Sequence, residues 1–328
     1  MNPDQIRTQS ETAYKQWCEQ WRAQAKENSK HPQHSIADFK NSGFGKAALL
    51  VANGYSLEEN IETIKKHQAN VDIVCCDKTL GHLISNGIIP KIVVVCDANV
   101  DYETYLEPYK DKLQNTYLFM NVCGNPKWAD NGNWKNKFFF VNKDIIQSEI
   151  EFSKLSGCPN IIIAGTNVSN AMLILLTQCE NNGRNNFFGY DKYILIGYDY
   201  SWKLKGNYYA FDKTGAGKDK YMAQMFFYAD DGEPLYTSGN LFFSKKWIDE
   251  YVRTFGLPVV QTAKHSILQF GSTKDLAYQM SYQGNKEEAK IIRALEDEEN
   301  KTKQILQKIN YTIKEMESRH FDNFLKSI

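Results

Sequence analysis

The sequence predicts an α/β fold: a doubly wound, mostly parallel sheet of Rossmann-like type with helical extensions at its N- and C-terminal ends. Three observations predict it. Short continuous apolar runs recur, among them Ala47-Ala48-Leu49-Leu50-Val51-Ala52, Val71-Asp72-Ile73-Val74-Cys75-Cys76 and Ile92-Val93-Val94-Val95-Cys96, and strands this apolar belong to a parallel sheet covered on both faces. Helical stretches separate them, as right-handed crossovers require. Several runs end in small or acidic residues, at the strand ends where open α/β sheets bind their ligands.

In chain order, residues 5–28 are polar and helix-prone, with Trp17, Trp21 and Ala25 at four-residue spacing. That spacing puts the three side chains on one face of an amphipathic helix. Residues 29–45, punctuated by Pro, Gly and Ser, read as a linker. The first strand, 47–52, is followed by a helix over Leu57–His67. The second, 71–76, is followed by a helix over Thr79–Asn86, and the third, 92–96, ends at Asp97. Thr116–Asn121 and Phe138–Val141 are further strands. Ile161–Ala164 leads through a GTNVSN turn into an apolar helix over 168–180, and Tyr193–Gly197 is a later strand ending at Tyr198-Asp199.

Residues 200–245 lose this rhythm and read as a long loop or lid. Trp247–Phe255 resumes as a helix and Val259–Thr262 as a late strand. Over 286–326, Ile291, Leu295, Ile305, Ile309, Ile313 and Met316 recur at helical spacing in a charged background. That predicts one or two amphipathic helices, packing back on their own domain or serving as an oligomerisation surface. The expected organisation is a helix and linker over 1–45, a nucleotide-binding α/β domain over 46–284 with its lid near 200–245, and a helical extension over 285–328.

Composition excludes several classes. Lys+Arg and Asp+Glu are 39 each, so the chain lacks the basic footprint of a general nucleic-acid binder. No apolar run approaches the roughly 20 residues of a membrane span, and the first residues show no apolar signal core. A cytoplasmic location is therefore expected. The seven cysteines include no CxxC pair, and several sit in apolar strand-like runs, which suits buried thiols rather than a metal cluster or a disulfide framework.

The candidate chemistry lies at four strand ends. After the first, Asn53-Gly54-Tyr55-Ser56 turns into a helix; Gly54 lets the backbone approach a ligand closely, and Ser56 with Glu59 has the spacing of a capping box. Free N–H groups at such a helix start favour a phosphate; the same segment also reads as a plain capped βα turn. After the second come Asp77 and Thr79, and after the third Asp97, Asn99 and Asp101. A carboxylate at such an edge can bind a ribose, hold Mg²⁺, or merely cap a helix. The fourth region joins Gly165, Thr166 and Asn167 with Gly197, Asp199 and Ser201, small polar groups that suit a phosphate or a sugar.

Other signals fail. DKTGAGKDKY has Asp212 where a Walker loop needs its first Gly, and Asp219 rather than Ser or Thr after Lys218. The six histidines show no paired metal spacing, His265 alone lying near a strand end, and no G-x-S-x-G elbow supports a hydrolase triad.

Taken in order, VANGYSL, CCDKTLGHLISNGIIPKIVVVCDAN, AGTNVSNAMLILL and YILIGYDYSW resemble the domain shared by archaeal 6-hydroxymethylpterin diphosphokinase-like proteins and the bacterial motility accessory factors, which are similar to flagellin glycosyltransferases. TSGNLFFSKKWIDEYV is similar to that family's helix entry after the lid, so the resemblance covers about residues 46–270. Asn53 and Tyr55 stand where the family usually has Gly and Pro, and Lys91 where an Asp is common. Asn53-Gly54 is also similar to the N-G-P-S turn of bacterial sialyltransferases, a related fold.

The resemblance implies a transferase with a nucleotide-activated donor. The first expectation is a glycosyltransferase that takes a sugar from a nucleotide-sugar. It implies Asp97 and Asp199 as catalytic and Mg²⁺-binding residues. Asn53, Gly54, Tyr55, Ser56, Asp77, Thr79, Gly165, Thr166 and Asn167 would bind the nucleotide, and a protein or small molecule would be the acceptor. The alternatives are diphosphate transfer from ATP to a hydroxymethylpterin-like alcohol, and a non-catalytic nucleotide-binding or assembly module.

Overall fold

Eight parallel strands form the central sheet of a computed structural model of the protein, in the order β11-β7-β1-β2-β3-β4-β5-β6. The structure describes residues 3–142, 146–162, 165, 167–178, 186–203, 208–211, 225–270, 274–282 and 284, and beyond these only positions 294, 298, 301, 302, 305, 306, 308 and 309. The strands are β1 (Ala47–Val51), β2 (Val71–Cys76), β3 (Ile92–Val95), β4 (Tyr117–Asn121), β5 (Asn136–Asn142), β6 (Ile161–Ile162), β7 (Lys192–Ile196) and β11 (Val259–Gln261). Every pairing among them is parallel. The chain runs outward from β1 to β6 and then returns to pair β7 on the other side of β1. The gap between β1 and β7 is thus the topological switch point, where open α/β sheets receive ligands.

Successive side chains of a strand point to opposite faces, and the core divides accordingly. Leu49, Val51, Ile73, Cys75, Val93 and Ile196 face one layer, with α2 (Ser56–His67), α3 (Asp77–Ser85), α5 (Pro126–Asn131), α6 (Ile146–Ser156) and α9 (Leu276–Met280). Ala48, Leu50, Val74, Val94 and Leu195 face the other, covered by α7 (Val168–Thr177) and α8 (Gly239–Phe255). Burial on both faces is why these runs are continuously apolar rather than alternating.

The N-terminal helix α1 (Pro3–Asn28) is part of the first layer. Tyr14 and Trp21 each make a T-shaped contact with Phe152 of α6 and are tilted against one another, Ala25 is buried, and Asn28 donates to the carbonyls of Val122 and Gly124, both at 2.9 Å. The stretch read as a linker contains a 3-10 turn, Ile36–Phe39, whose Ile36 and Phe39 are buried in the second layer. A short α4 (Tyr102–Tyr105) follows β3.

Within 200–245 the structure departs from the expected loop. β8 (Trp202–Lys203), β9 (Met225–Tyr228) and β10 (Pro234–Thr237) form an antiparallel sheet in the order β8-β10-β9, and α8 begins already at Gly239. The strands escape a search for apolar runs because they are half-exposed: Phe226 and Tyr228 of β9 face outward. The start of α8 escapes because Ser238, which caps it by accepting from the Leu241 N–H, stands apart from the apolar stretch around Trp247. The rejected Walker-like segment and Thr166 lie outside the described residues.

The chain divides into two compact units, Met1–Gln283 and Gly284–Ile328. In the second, the positions described from 294 to 309 are helical. Among the described residues no helix is long and apolar enough to cross a membrane.

Candidate functional site

The carboxyl ends of β1, β2, β3, β5 and β7 open onto one crevice with a cavity of about 420 Å³. Asn53 and Gly54 line it from the β1 end, Asp77 and Lys78 from β2, Asp97 from β3, Asn142 from β5, and Gly197 and Tyr198 from β7. Gly165 and Asn167 reach it from the turn before α7, and Tyr200, Tyr208 and Tyr209 from the segment after β7.

The β1 and β7 turns are bound to each other. The Gly54 N–H donates to the Gly197 carbonyl at 2.9 Å, and the Gly197 N–H donates to Ser56 Oγ at 2.9 Å. The Ser56 N–H donates to Asp199 Oδ2 at 2.9 Å. Both glycines are demanded by this contact. A Cβ on Gly54 would stand 2.2 Å from Asp199 Oδ2, and one on Gly197, whose φ is +74°, would stand 2.0 Å from the Ala52 carbonyl.

This corrects the capping box expected at Ser56. Ser56 is the first residue of α2, its hydroxyl accepts from Gly197, and no side-chain bond comes from the residue before it. The helix start is capped instead by Asp199, from 143 residues further along the chain, and a carboxylate there satisfies both the free N–H and the helix dipole.

Asp199 is 0% exposed, and its Oδ1 has no hydrogen-bond partner among the described residues. Burial pushes its pKa up to about 7, against the hydrogen bonds from Ser56. Its carboxyl belongs to the wall behind the crevice. So do Tyr55, whose hydroxyl donates to the His265 carbonyl while Lys203 lies over its ring, and Thr79, whose hydroxyl donates to the Cys76 carbonyl at 2.9 Å. Asn167 lines the crevice but spends its side-chain oxygen on capping α7, accepting from the Asn170 N–H at 2.9 Å.

Two acidic residues do line the crevice. Asp97 is exposed and accepts from the Asn99 N–H at 2.8 Å. Asp77 is only 2% exposed and accepts from the Lys78 N–H at 2.7 Å. Burial, with a smaller contribution from the Asp97 charge, raises its pKa to about 6. Among the described residues no group of three His, Cys, Asp or Glu side chains could hold a metal unaided. Mg²⁺, however, commonly takes one or two carboxylates and completes its shell with water and substrate phosphate. Asp77 and Asp97, at the ends of adjacent strands, fit that donor set, whereas Asp199 faces Ser56.

Sequence reasoning missed Lys78, Asn142 and the tyrosines. Lys78 stood in the quoted CCDKTL segment, and the tyrosines in GYDYSW and NYY. Their sequence signal was only aromatic richness beside a strand end.

Comparison with known proteins gives two findings. The sequence model of the family described as "6-hydroxymethylpterin diphosphokinase MptE-like" matches residues 19–204, more than half of the chain. Among solved structures, the MAf glycosyltransferase from Magnetospirillum magneticum AMB-1 is similar with a TM-score of 0.54 and 12% identity, over 83% of this chain and 43% of that one. At this identity the likeness concerns the fold, and the chain spans less than half the length of that protein. No curated protein matches the chain.

Proposed function

We propose that the chain, which belongs to the 6-hydroxymethylpterin diphosphokinase MptE-like family, is a transferase that takes a nucleotide-activated donor, and specifically a glycosyltransferase using a nucleotide-sugar. The observation that carries this reading is the crevice at the β1–β7 switch point, where Asp77, Asp97 and four tyrosines line a cavity of about 420 Å³. That volume lies within the range of small-molecule sites. Tyrosine faces suit a base or a sugar ring, and the carboxylates suit a cation or a hydroxyl. The likeness in fold to a structure described as a glycosyltransferase agrees with it.

On this reading Asp97 and Asp77 would hold Mg²⁺, which when bound supplies positive charge to the departing nucleotide. The exposed Asp97 carboxylate is also the group placed to accept a proton from an acceptor hydroxyl. Asp199 acts at one remove, by fixing the β1 and β7 turns that form the crevice wall. Catalysis would rest on positioning and on charge stabilisation.

A second reading is diphosphate transfer from ATP to a hydroxymethylpterin-like alcohol. The family description names such an enzyme, and two acids at neighbouring strand ends are also the donor set of a Mg²⁺-nucleotide.

A thermal-shift screen of ATP and of CMP-, UDP- and GDP-linked sugars, with and without Mg²⁺, separates them. Stabilisation by one sugar nucleotide is the expected result. Stabilisation by ATP alone, followed by AMP release that depends on a hydroxymethylpterin, assigns the second reading. No shift with any of these ligands would sink both.

A further inference from the structure

We propose that Lys78 is the residue that takes the donor's phosphate, so that the phosphate lies at the β2 end of the crevice and not in the Asn53–Ser56 turn. The inference rests on the transferase reading above and adds the group that recognises the donor.

The Asn53–Ser56 turn has no room for an anion. Its helix start is already capped by the Asp199 carboxylate, and Gly54 is packed so closely that even a methyl group there would meet that carboxylate at 2.2 Å. A phosphate would have to displace a fully buried acid.

The β2 end is different. Among the described residues lining the crevice, Lys78 is the only cationic side chain. No carboxylate among the described residues forms an ion pair with it. Its ammonium instead lies 5.4 Å from the centre of the Tyr209 ring. A ring face holds an ammonium more weakly than a phosphate does, so a phosphate can take Tyr209's place.

The lining on either side of the β2 end, from β1 and from β5, adds to this. Asn53 and Asn142 each present a buried side-chain oxygen with no hydrogen-bond partner among the described residues, and both residues line the crevice. Such acceptors call for O–H or N–H donors. A ligand that is anionic at one end and hydroxyl-bearing at the other meets Lys78 and the two asparagines together, and a phosphorylated ribose or sugar has that chemistry.

The test is calorimetric titration of the full chain with ADP, UDP, CDP and GDP and with their parent nucleosides, comparing wild type, Lys78→Met and Lys78→Arg. In Lys78→Met the preference for diphosphate over nucleoside should fall about 10- to 100-fold, the range of a charge-assisted hydrogen bond. Nucleoside affinity should not change, and Lys78→Arg should restore most of the preference. If Lys78 only pinned Tyr209, both affinities would fall together; that result, or an unchanged preference, overturns the inference and leaves the transferase reading standing. A wild type that binds none of the four diphosphates overturns both. Should Lys78→Met not fold, reductive methylation of the wild-type chain followed by mass spectrometry decides. Inorganic pyrophosphate should slow labelling of Lys78 several-fold, and an equal rate with and without it refutes the assignment.

Discussion

Asp199 is an acid with no exposed surface whose one bonded oxygen serves the α2 start. Its folded pKa of about 7 stands above the ordinary carboxylate value, with burial as the main cause. The folded state therefore holds the proton more tightly than the unfolded chain does. This contribution to stability is fully present below about pH 4 and is lost as pH rises through about 7. Summed over that window, the loss is at most about 4 kcal/mol. Asp199→Asn keeps an oxygen to accept from Ser56 and removes the titration. Its stability relative to wild type, from urea unfolding at pH 5 and pH 8, should therefore improve with pH; a constant difference contradicts the account. Gly54→Ala tests the same contact from the other side. With Asp199 Oδ2 at 2.2 Å and the Gly197 carbonyl at 2.5 Å from the added Cβ, two turns must shift apart. A loss of about 3 kcal/mol is expected in the same unfolding assay.

Among the elements, α1 offers the sharpest case of a segment whose role depends on long-range partners. Its amphipathic spacing is visible in Trp17, Trp21 and Ala25, yet Trp17 is exposed while Trp21 and Ala25 pack. The anchor is the buried Asn28, which satisfies the carbonyls of Val122 and Gly124 beyond β4. Asn28→Ala leaves both carbonyls short of a donor and should cost about 2 kcal/mol. Gln20→Ala, which removes an exposed bond to Asn99, should stay within about 0.5 kcal/mol; equal effects would show that α1 is not anchored at Asn28. The same contrast explains what the sequence made legible. The β1, β2 and β3 runs announce themselves because burial on both faces needs apolar residues at every position. The sheet of β8, β9 and β10 does not, because one face of β9 meets solvent. The capping of α2 could not be read locally either: Ser56 and Glu59 have the right spacing, but the oxygen that caps the helix belongs to Asp199.

For the whole molecule, the order of the strands decides where chemistry can occur. The return of the chain to β7 beside β1 brings Gly197 and Asp199 against Asn53 and Gly54, and outward winding sets Asp77 and Asp97 at the next two strand ends. That much was legible, because parallel strands must all end on one side and the polar residues following each run must therefore converge. Which side chains face inward was not legible, because it depends on packing between the turns. Asp199 is consumed by α2, while Lys78 and Asn142 line the cavity. A ligand seated there touches the ends of β1, β2, β3, β5 and β7 at once and binds the folded state only. At 100 times its Kd it should stabilise the fold by about 2.7 kcal/mol, or about 5 °C in Tm for a chain of this size. If Asp97 holds Mg²⁺ beside that ligand, Asp97→Asn should abolish the part of the shift that depends on Mg²⁺ and leave the shift without metal intact. The exposed position of Asp97 means the substitution should change the Tm of the free protein by little. A Mg²⁺-dependent shift that survives in Asp97→Asn would move the metal to other residues.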